Sequence, residues 1–433
     1  MGSQVETSPE KAMTEIKSFK AVHYNQEKVK DLAKVVCPPY DVISSQQQDQ
    51  YHNLSENNFI HVLLGKDKPS DDRSNNKYTR AKKIFDGWLQ DQILVEDSKP
   101  CIYFYRQEYK VLGAKHSRLG FISLMKLQDE KDARIYPHEN THARAKEDRL
   151  KLWKSLSANL SPIFVCFSDK EKKVETVFAK HVAKTKPLID IEDVDGVKHI
   201  LWRLDDPALI KTITGSMDEQ QLFIADGHHR YEVASEYRRQ RIAKAGKSNG
   251  REGFNYVMTY FTNIDSRDLK IFPIHRIIKN VPADIDFLEE TFRVDKIKTR
   301  QDFLVMLAKA GQNEHAFGFY TRQGMLLLRL KNKLLIDKYI TEGSSDYRHL
   351  DATILKYFVL DKMNVKSEEI VYTPDSHEAM NAVDDKDAGA AFLMNPVRIQ
   401  QLKNIALNGE RMPPKTTYFY PKVLSGLTIY KID

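Results

Sequence analysis

The stretch Asp226-Gly227-His228-His229-Arg230 sets a carboxylate, a flexible residue, two imidazoles and a guanidinium side by side. The apolar run before it reads as a strand, and Tyr231 onward carries a helical pattern. The first N–H groups of a helix have no intrahelical partner, and the helix dipole adds positive charge there. Gly227 lets the backbone turn tightly between the two elements. A phosphate or another anion is favoured at such a place, and Arg230 adds a fork for its oxygens. The plainer alternative is an N-cap at Asp226 followed by surface histidines. A cap needs one oxygen. Nothing in capping asks for three cationic or near-cationic groups behind it, so the set reads as an anion site.

A second cluster, IYPHENTHARAKEDR, runs from Ile135 to Arg149. Its His138-Glu139-x-x-His142 matches the H-E-x-x-H pattern of zinc peptidases. Against that, Pro137 directly precedes the first histidine, and proline is tolerated only in the first helical turn. Asn140 and Thr141 are turn formers, and no third ligand follows at metzincin spacing. Three readings stay open: a zinc hydrolase, a polar loop leading into a helix, and a loop whose Glu139 faces the Asp226 junction as a base. A third segment, RMPPKTTYFYPK, is a rigid proline-rich stretch whose Lys415, Tyr418 and Lys422 could close over a ligand, with His138 as a further substrate-site candidate. A packed connector is the alternative. Tyr40 and Asp41 of CPPYDVIS line a pocket or make a turn.

These residues need elements to hold them. At 433 residues the chain is too long for one ordinary core. The expected class is α/β, mixed α+β, with a central unit at 131–280 between an N-terminal α/β region at 17–130 and a C-terminal one at 281–433. Residues 1–16 are expected to be disordered. KYTRAKKIFDGWLQ and AKEDRLKLWKSL carry helical spacing. CIYFYRQEYKV and SRLGFISLMKL read as paired strands, and PIFVCF, VKHILWRL, LFIAD and NYVMTYFTNI as further strands. VVCPPYDVI is expected to be a short strand broken by its prolines. LKIFPIHRII continues the sheet or opens a loop.

Composition excludes several classes. The net charge is +7, from 67 basic and 60 acidic residues, which suits a mixed solvated surface better than a nucleic-acid patch. No apolar run approaches the ~20 residues of a membrane helix. The N-terminus lacks the apolar region of a secretory signal, and Glu6 stands where a myristoylation signal wants Ser or Thr. Three well-separated cysteines, Cys37, Cys101 and Cys166, fit a reduced, cytoplasmic setting without disulfides.

The motifs VVCPPYDVI, PHENTHARAKEDRL, SANLSPIF, IADGHHRYE, PIHRII and MPPKTTYFYPK, in this order, resemble a widespread, largely uncharacterised prokaryotic family labelled as a domain of unknown function. ADGHHRYE is also similar to the phosphate-binding junction of the ParB/sulfiredoxin-like fold, shared by nucleotide-dependent free serine kinases. That resemblance implies a ParB/sulfiredoxin-like central unit. It implies Glu139 as the base for a serine hydroxyl, and Asp226 as the acidic residue near the phosphoryl group and its Mg²⁺. It implies Gly227, His228, His229 and Arg230 as the phosphate cradle, and ATP or ADP as donor. Two departures stand out. The chain is far longer than a minimal serine kinase, and roughly 85 residues lie between Glu139 and Asp226. Sulfiredoxin chemistry would need a cysteine where His228 or His229 stands.

Two main expectations follow. One is a kinase acting on a small hydroxyl substrate, its partners a metabolite and a nucleotide, with Glu139 and Asp226 lining a common cleft. The other is a ParB-like nucleotide switch. The switch usually carries a helix-turn-helix after its motif, whereas here one helix is followed by a strand-like segment, which weakens a role on DNA.

Overall fold

The computed structural model describes residues 13–129, 134–141, 143–282 and 284–432. The chain divides into two compact units. The first comprises Met1–Tyr136, Thr141–Leu269 and Pro421–Asp433; the second comprises Pro137–Asn140 and Lys270–Tyr420. The segment expected as one central unit, 131–280, is therefore shared between them. Of the stretch expected to be disordered, residues 1–12 lie outside the described residues, and Ile16 already belongs to a strand.

The first unit is built on a nine-stranded mixed sheet. Its strands are β1 (Ile16–Lys17), β2 (Ile102–Val111), β3 (Ala114–Lys126), β4 (Ile135–Tyr136), β5 (Ile163–Phe167), β6 (Ile189–Glu192), β7 (Lys198–Leu204), β8 (Leu222–Asp226) and β9 (Tyr256–Asn263). They run in the order β4-β8-β5-β9-β3-β2-β7-β6, with β1 also paired to β3. The expected pairing of β2 with β3 is an antiparallel hairpin that sets Gln107 opposite Arg118. Three helices matter for the site: α1 (Lys77–Gln90), α2 (Ala143–Leu156) and α3 (His228–Ala245). Helix α1 starts under an Asn76 cap that accepts from Tyr78 and Thr79. It buries Ala81, Phe85 and Trp88, the apolar stripe its spacing predicts.

VVCPPYDVI departs from the expected broken strand. Leu32–Lys34 and Tyr40–Val42 are single 3-10 turns, and Cys37 makes only an isolated bridge to Ser425. Pro38 and Pro39 bring no N–H to a ladder, so the extended backbone cannot propagate.

The second unit has a six-stranded sheet made of β11 (His275–Ile278), β12 (Phe292–Ile297), β13 (Ala316–Thr321), β14 (Gly324–Leu330), β15 (Ile370–Thr373) and β16 (Ala390–Leu393). The order is β12-β14-β13-β16-β11-β15. A separate ribbon pairs β10 (Lys270–Phe272) with β17 (Tyr418–Tyr420). LKIFPIHRII thus splits at Pro273 into strands of two different sheets. Strand β16 shows how both faces are buried: Ala390 and Phe392 join one apolar cluster, Ala391 and Leu393 the other.

The fold class is mixed α/β, as expected. No described helix is long and apolar enough to cross a membrane. Cys37, Cys101 and Cys166 are free and buried. Burial pushes the Cys166 thiol up to about 12. Gly120 sits inside β3, where a Cβ would run into the Phe261 carbonyl and the Tyr260 ring. Gly120→Ala is expected to lower stability by about 1–3 kcal/mol through overpacking, read as a shifted urea midpoint with an unchanged slope.

Candidate functional site

The junction in the first unit starts with an irregular pairing. Strand β8 pairs with β5 in register at Phe223 and Ile224, then slips, so that Asp226 faces Phe164. Such a bulge re-aims the side chains that follow it. Gly227 comes next with φ of 89°, a left-handed conformation that favours glycine, and offers no side chain to cap helix α3. His228 and Arg230 are buried in the first turn, and His229 is half-buried.

Arg230 does not project from the helix as a free fork. Its guanidinium folds back over the turn, where a Cβ on Gly227 would lie 2.9 Å from its Cζ and Nε. One nitrogen donates to the Pro162 carbonyl, and Nη2 lies 3.4 Å from Asp226 Oδ2. A second cation reaches the same oxygen: Lys422 Nζ stands 3.3 Å from Asp226 Oδ2, with only 10% of its side chain exposed. The sequence suggested Lys422 as a ligand-closing residue, but could not show its partner.

Lys422 is held by groups that pattern reading passed over. Gln107 donates to the Lys422 carbonyl at 2.8 Å. Arg118, fully buried, donates to the Pro421 carbonyl and to Gln107 Oε1, with its guanidinium over the Phe164 ring at 4.7 Å. Charged and polar residues at inward positions of a hairpin were the available hint.

PPYD and AKEDRL meet beside the junction. The Arg149 guanidinium stacks 4.4 Å from the Tyr40 ring centroid and donates to the Leu63 carbonyl at 2.7 Å. Asp148 accepts from Tyr78 at 2.7 Å and pairs with Lys77 at 2.9 Å. Burial raises the Asp148 carboxyl, but the Arg149 charge and the bonds from Tyr78, Arg149 and Lys77 outweigh it and hold it at about 2. A cavity of about 30 Å³ lies between Tyr40, Arg149, Trp153, Ser161 and Arg230. That is room for one water-sized group and not for a nucleobase.

The second unit gathers the other motif residues. Glu139 forms a parallel bridge with Met412, and its Oε1 accepts the Lys415 N–H at 2.5 Å. Arg411 donates to the Glu139 carbonyl at 2.9 Å. His138 is fully buried, with Nε2 3.3 Å from Thr417 Oγ1. Lys415 itself is exposed and has φ of 55°. Tyr418 lies on β17, its ring stacked with Phe272. The three candidates from RMPPKTTYFYPK are thus divided: Lys415 and Tyr418 belong to the second unit, Lys422 to the first.

This geometry corrects the zinc reading. H-E-x-x-H binds zinc when both histidines share one helix face. Here His138 and Glu139 lie in non-helical backbone tied to the Met412 segment, and helix α2 starts only at Ala143. His142 lies outside the described residues. Among the described residues no group of three or more His, Cys, Asp or Glu is placed to hold a metal ion.

A mixed α/β fold with a cation-rich strand-to-helix junction defines a class broader than any one activity. The chain belongs to the DUF1015 family, a protein of unknown function, whose model matches residues 16–353. A search of the curated proteins found no match. Among solved structures, a conserved hypothetical protein from Pyrococcus furiosus is 14% identical, with 70% of this chain and 92% of that one covered and a TM-score of 0.34. A glutamate-to-alanine mutant of free serine kinase in complex with ADP is 12% identical, with 72% and 92% covered and a TM-score of 0.38. SbnI with a C-terminal truncation, from Staphylococcus aureus, is 10% identical, with 70% and 85% covered and a TM-score of 0.35.

Two outcomes follow from the first unit. Gly227→Ala must displace the Arg230 guanidinium and hold alanine at a positive φ. It is expected to cost about 1–3 kcal/mol, measured by urea unfolding against an Arg230→Met control, in which the clash is gone and the added cost of alanine shrinks. Asp148 has a folded-state pKa below its unfolded value, so its stabilisation is present above pH ~4 and is lost as pH falls toward about 2. Asp148→Asn is therefore expected to flatten the fall in stability over that acid window; an unchanged slope would rule the ion pair out as its source.

Proposed function

We propose that the protein is a nucleotide-dependent kinase for a small, serine-like hydroxyl metabolite, with ATP or ADP as donor. One observation carries the reading: two largely buried cations, Arg230 and Lys422, converge on the single carboxylate of Asp226 where helix α3 begins. Two cations gathered at a helix N-terminus suit a multiply charged anion such as a nucleotide phosphate. Phosphoryl transfer asks a protein mainly for positioning and charge neutralisation. In this reading Lys422 meets the phosphate, Arg230 braces the turn that presents it, and His228 and His229 border it.

Asp226 is the carboxylate that would take Mg²⁺. That ion uses one or two protein carboxylates and completes its shell with water and phosphate oxygens, so a single aspartate suits a magnesium–nucleotide complex. When bound, Mg²⁺ neutralises charge on the transferring phosphoryl group. Glu139 is assigned as the group that takes the acceptor hydroxyl's proton. The Lys415 amide at its Oε1 fixes the carboxylate's orientation. A nucleotide switch without transfer would use the same junction. Helix α3 is followed by strand β9, so a helix-turn-helix does not continue from it.

The test combines calorimetry with phosphorus NMR on the full chain. Lys422→Gln is expected to weaken ADP or ATP binding by ~1.5–3 kcal/mol, the range for a lost charged hydrogen bond. Glu139→Gln is expected to slow phosphoryl transfer to L-serine ~10²–10⁴-fold with nucleotide affinity unchanged. Absence of nucleotide binding would sink the proposal, and nucleotide binding without transfer to any hydroxyl compound would leave the switch.

A further inference from the structure

Arg276 on strand β11 is a guanidinium that the fold buries without an opposite charge. It is only 4% exposed. One nitrogen donates to the Ile274 carbonyl, and no described carboxylate forms an ion pair with it. Its direct neighbour across the ladder is Tyr372 on β15, with the guanidinium 5.8 Å from that ring's centroid. Asp351 contributes at longer range, but its carboxylate is bonded to His315 at 2.8 Å. Burial pulls the Arg276 pKa down to about 10, so the group is still charged at neutral pH. A buried cation with one carbonyl partner is costly, and an anion bound to it would offset that cost.

The surroundings say where such an anion would lie. Burial pushes the Tyr372 phenol up, Arg276 and Lys415 draw it down, and Glu139 pushes it up again. The geometry sets Tyr372 beside the guanidinium, opposite Arg276 in the ladder with its ring centroid 5.8 Å away. A buried guanidinium beside a phenol suits an acceptor that carries its own anionic group as well as a hydroxyl. Arg matches a planar carboxylate with two parallel N–H bonds.

We infer that Arg276, with Tyr372, forms a carboxylate-binding subsite that holds the acid group of a small hydroxy-acid acceptor. The identity of the hydroxyl end rests on the kinase reading; the carboxylate subsite stands on the buried guanidinium. The subsite makes the enzyme a kinase of hydroxy acids, and it rejects amino alcohols that lack the acid group. Discrimination of this kind is strong, because an analogue without the carboxylate leaves the buried cation unpaired.

The experiment uses the full chain and three probes: L-serine, D-glycerate and ethanolamine, the last being serine without its carboxylate. Calorimetric titration in the presence of ADP and Mg²⁺ is expected to show binding of at least one acid, and ethanolamine weaker by roughly 10- to 100-fold or more. Arg276→Gln, checked for an unchanged melting temperature and ADP affinity, is expected to lose that acid by the same factor, with Arg276→Lys in between. Ethanolamine binding as well as L-serine in the unaltered protein overturns the subsite without recourse to any variant. So does a failure of both acids to bind, or a folded Arg276→Gln that binds them unchanged. Acid binding that depends on Arg276 but leads to no phosphorylated product overturns the kinase reading alone. Equal transfer to ethanolamine and L-serine overturns the subsite alone.

Discussion

Arg230 lying across Gly227 is the contact on which the first unit's site depends. The guanidinium fills the volume that any side chain at position 227 would need, and it binds the Pro162 carbonyl on one side and Asp226 on the other. One side chain therefore ties together the end of strand β8, the entry to strand β5 and the first turn of helix α3. A guanidinium buried this far cannot be left unpaired without a penalty of several kcal/mol. The position of Asp226 is thus set by the fold's need to neutralise Arg230, before any ligand arrives. Lys422 then brings a second positive charge to the same carboxylate.

The ammonium has its own support. Lys422 reaches Asp226 because Gln107 and Arg118 hold the carbonyls of Lys422 and Pro421. Gln107 and Arg118 are opposite one another in the β2–β3 hairpin and have no exposure. Buried polar groups of this kind are stable only when nearly every donor and acceptor is satisfied. The two residues are far from Pro421 in the chain, so the cationic side of the junction forms only once the last segment has docked against the hairpin.

Local signals carried a good part of this. A strand, a glycine and a helix start announced the Asp226 junction, because the change of period from apolar run to helical spacing is a property of adjacent residues. The β2–β3 hairpin and helices α1 and α2 were legible for the same reason. What stayed hidden depends on partners far along the chain. Lys422 could be named as a candidate, yet nothing near it in sequence points to Asp226. Nothing near Arg118 or Arg276 in sequence shows that their side chains are buried. HENTH read three ways because a motif written on helix spacing carries no statement that the backbone is helical; the bridge from Glu139 to Met412 shows that it is not helical there.

The segment from Arg411 to Lys422 explains why a proline-rich stretch belongs here. Its first half serves Glu139: the Arg411 side chain binds that residue's carbonyl, and the Lys415 amide binds its carboxylate. Lys415 has a left-handed backbone, which costs a residue with a Cβ about 1 kcal/mol or more and persists only where the surroundings impose it. Pro413 and Pro414 restrict the chain just before it, which lowers the entropy lost in holding that amide in place. The last residue of the segment, Lys422, serves Asp226. A single connector thus delivers an amide to one carboxylate and an ammonium to the other. The two differ in what they demand: the amide at Glu139 needs only the backbone of residue 415, whereas the ion pair at Asp226 needs the charge of Lys422. Side-chain changes at position 415 therefore act on the exposed ammonium and leave the grip on Glu139 intact, while neutral residues at 422 remove the ion pair with Asp226.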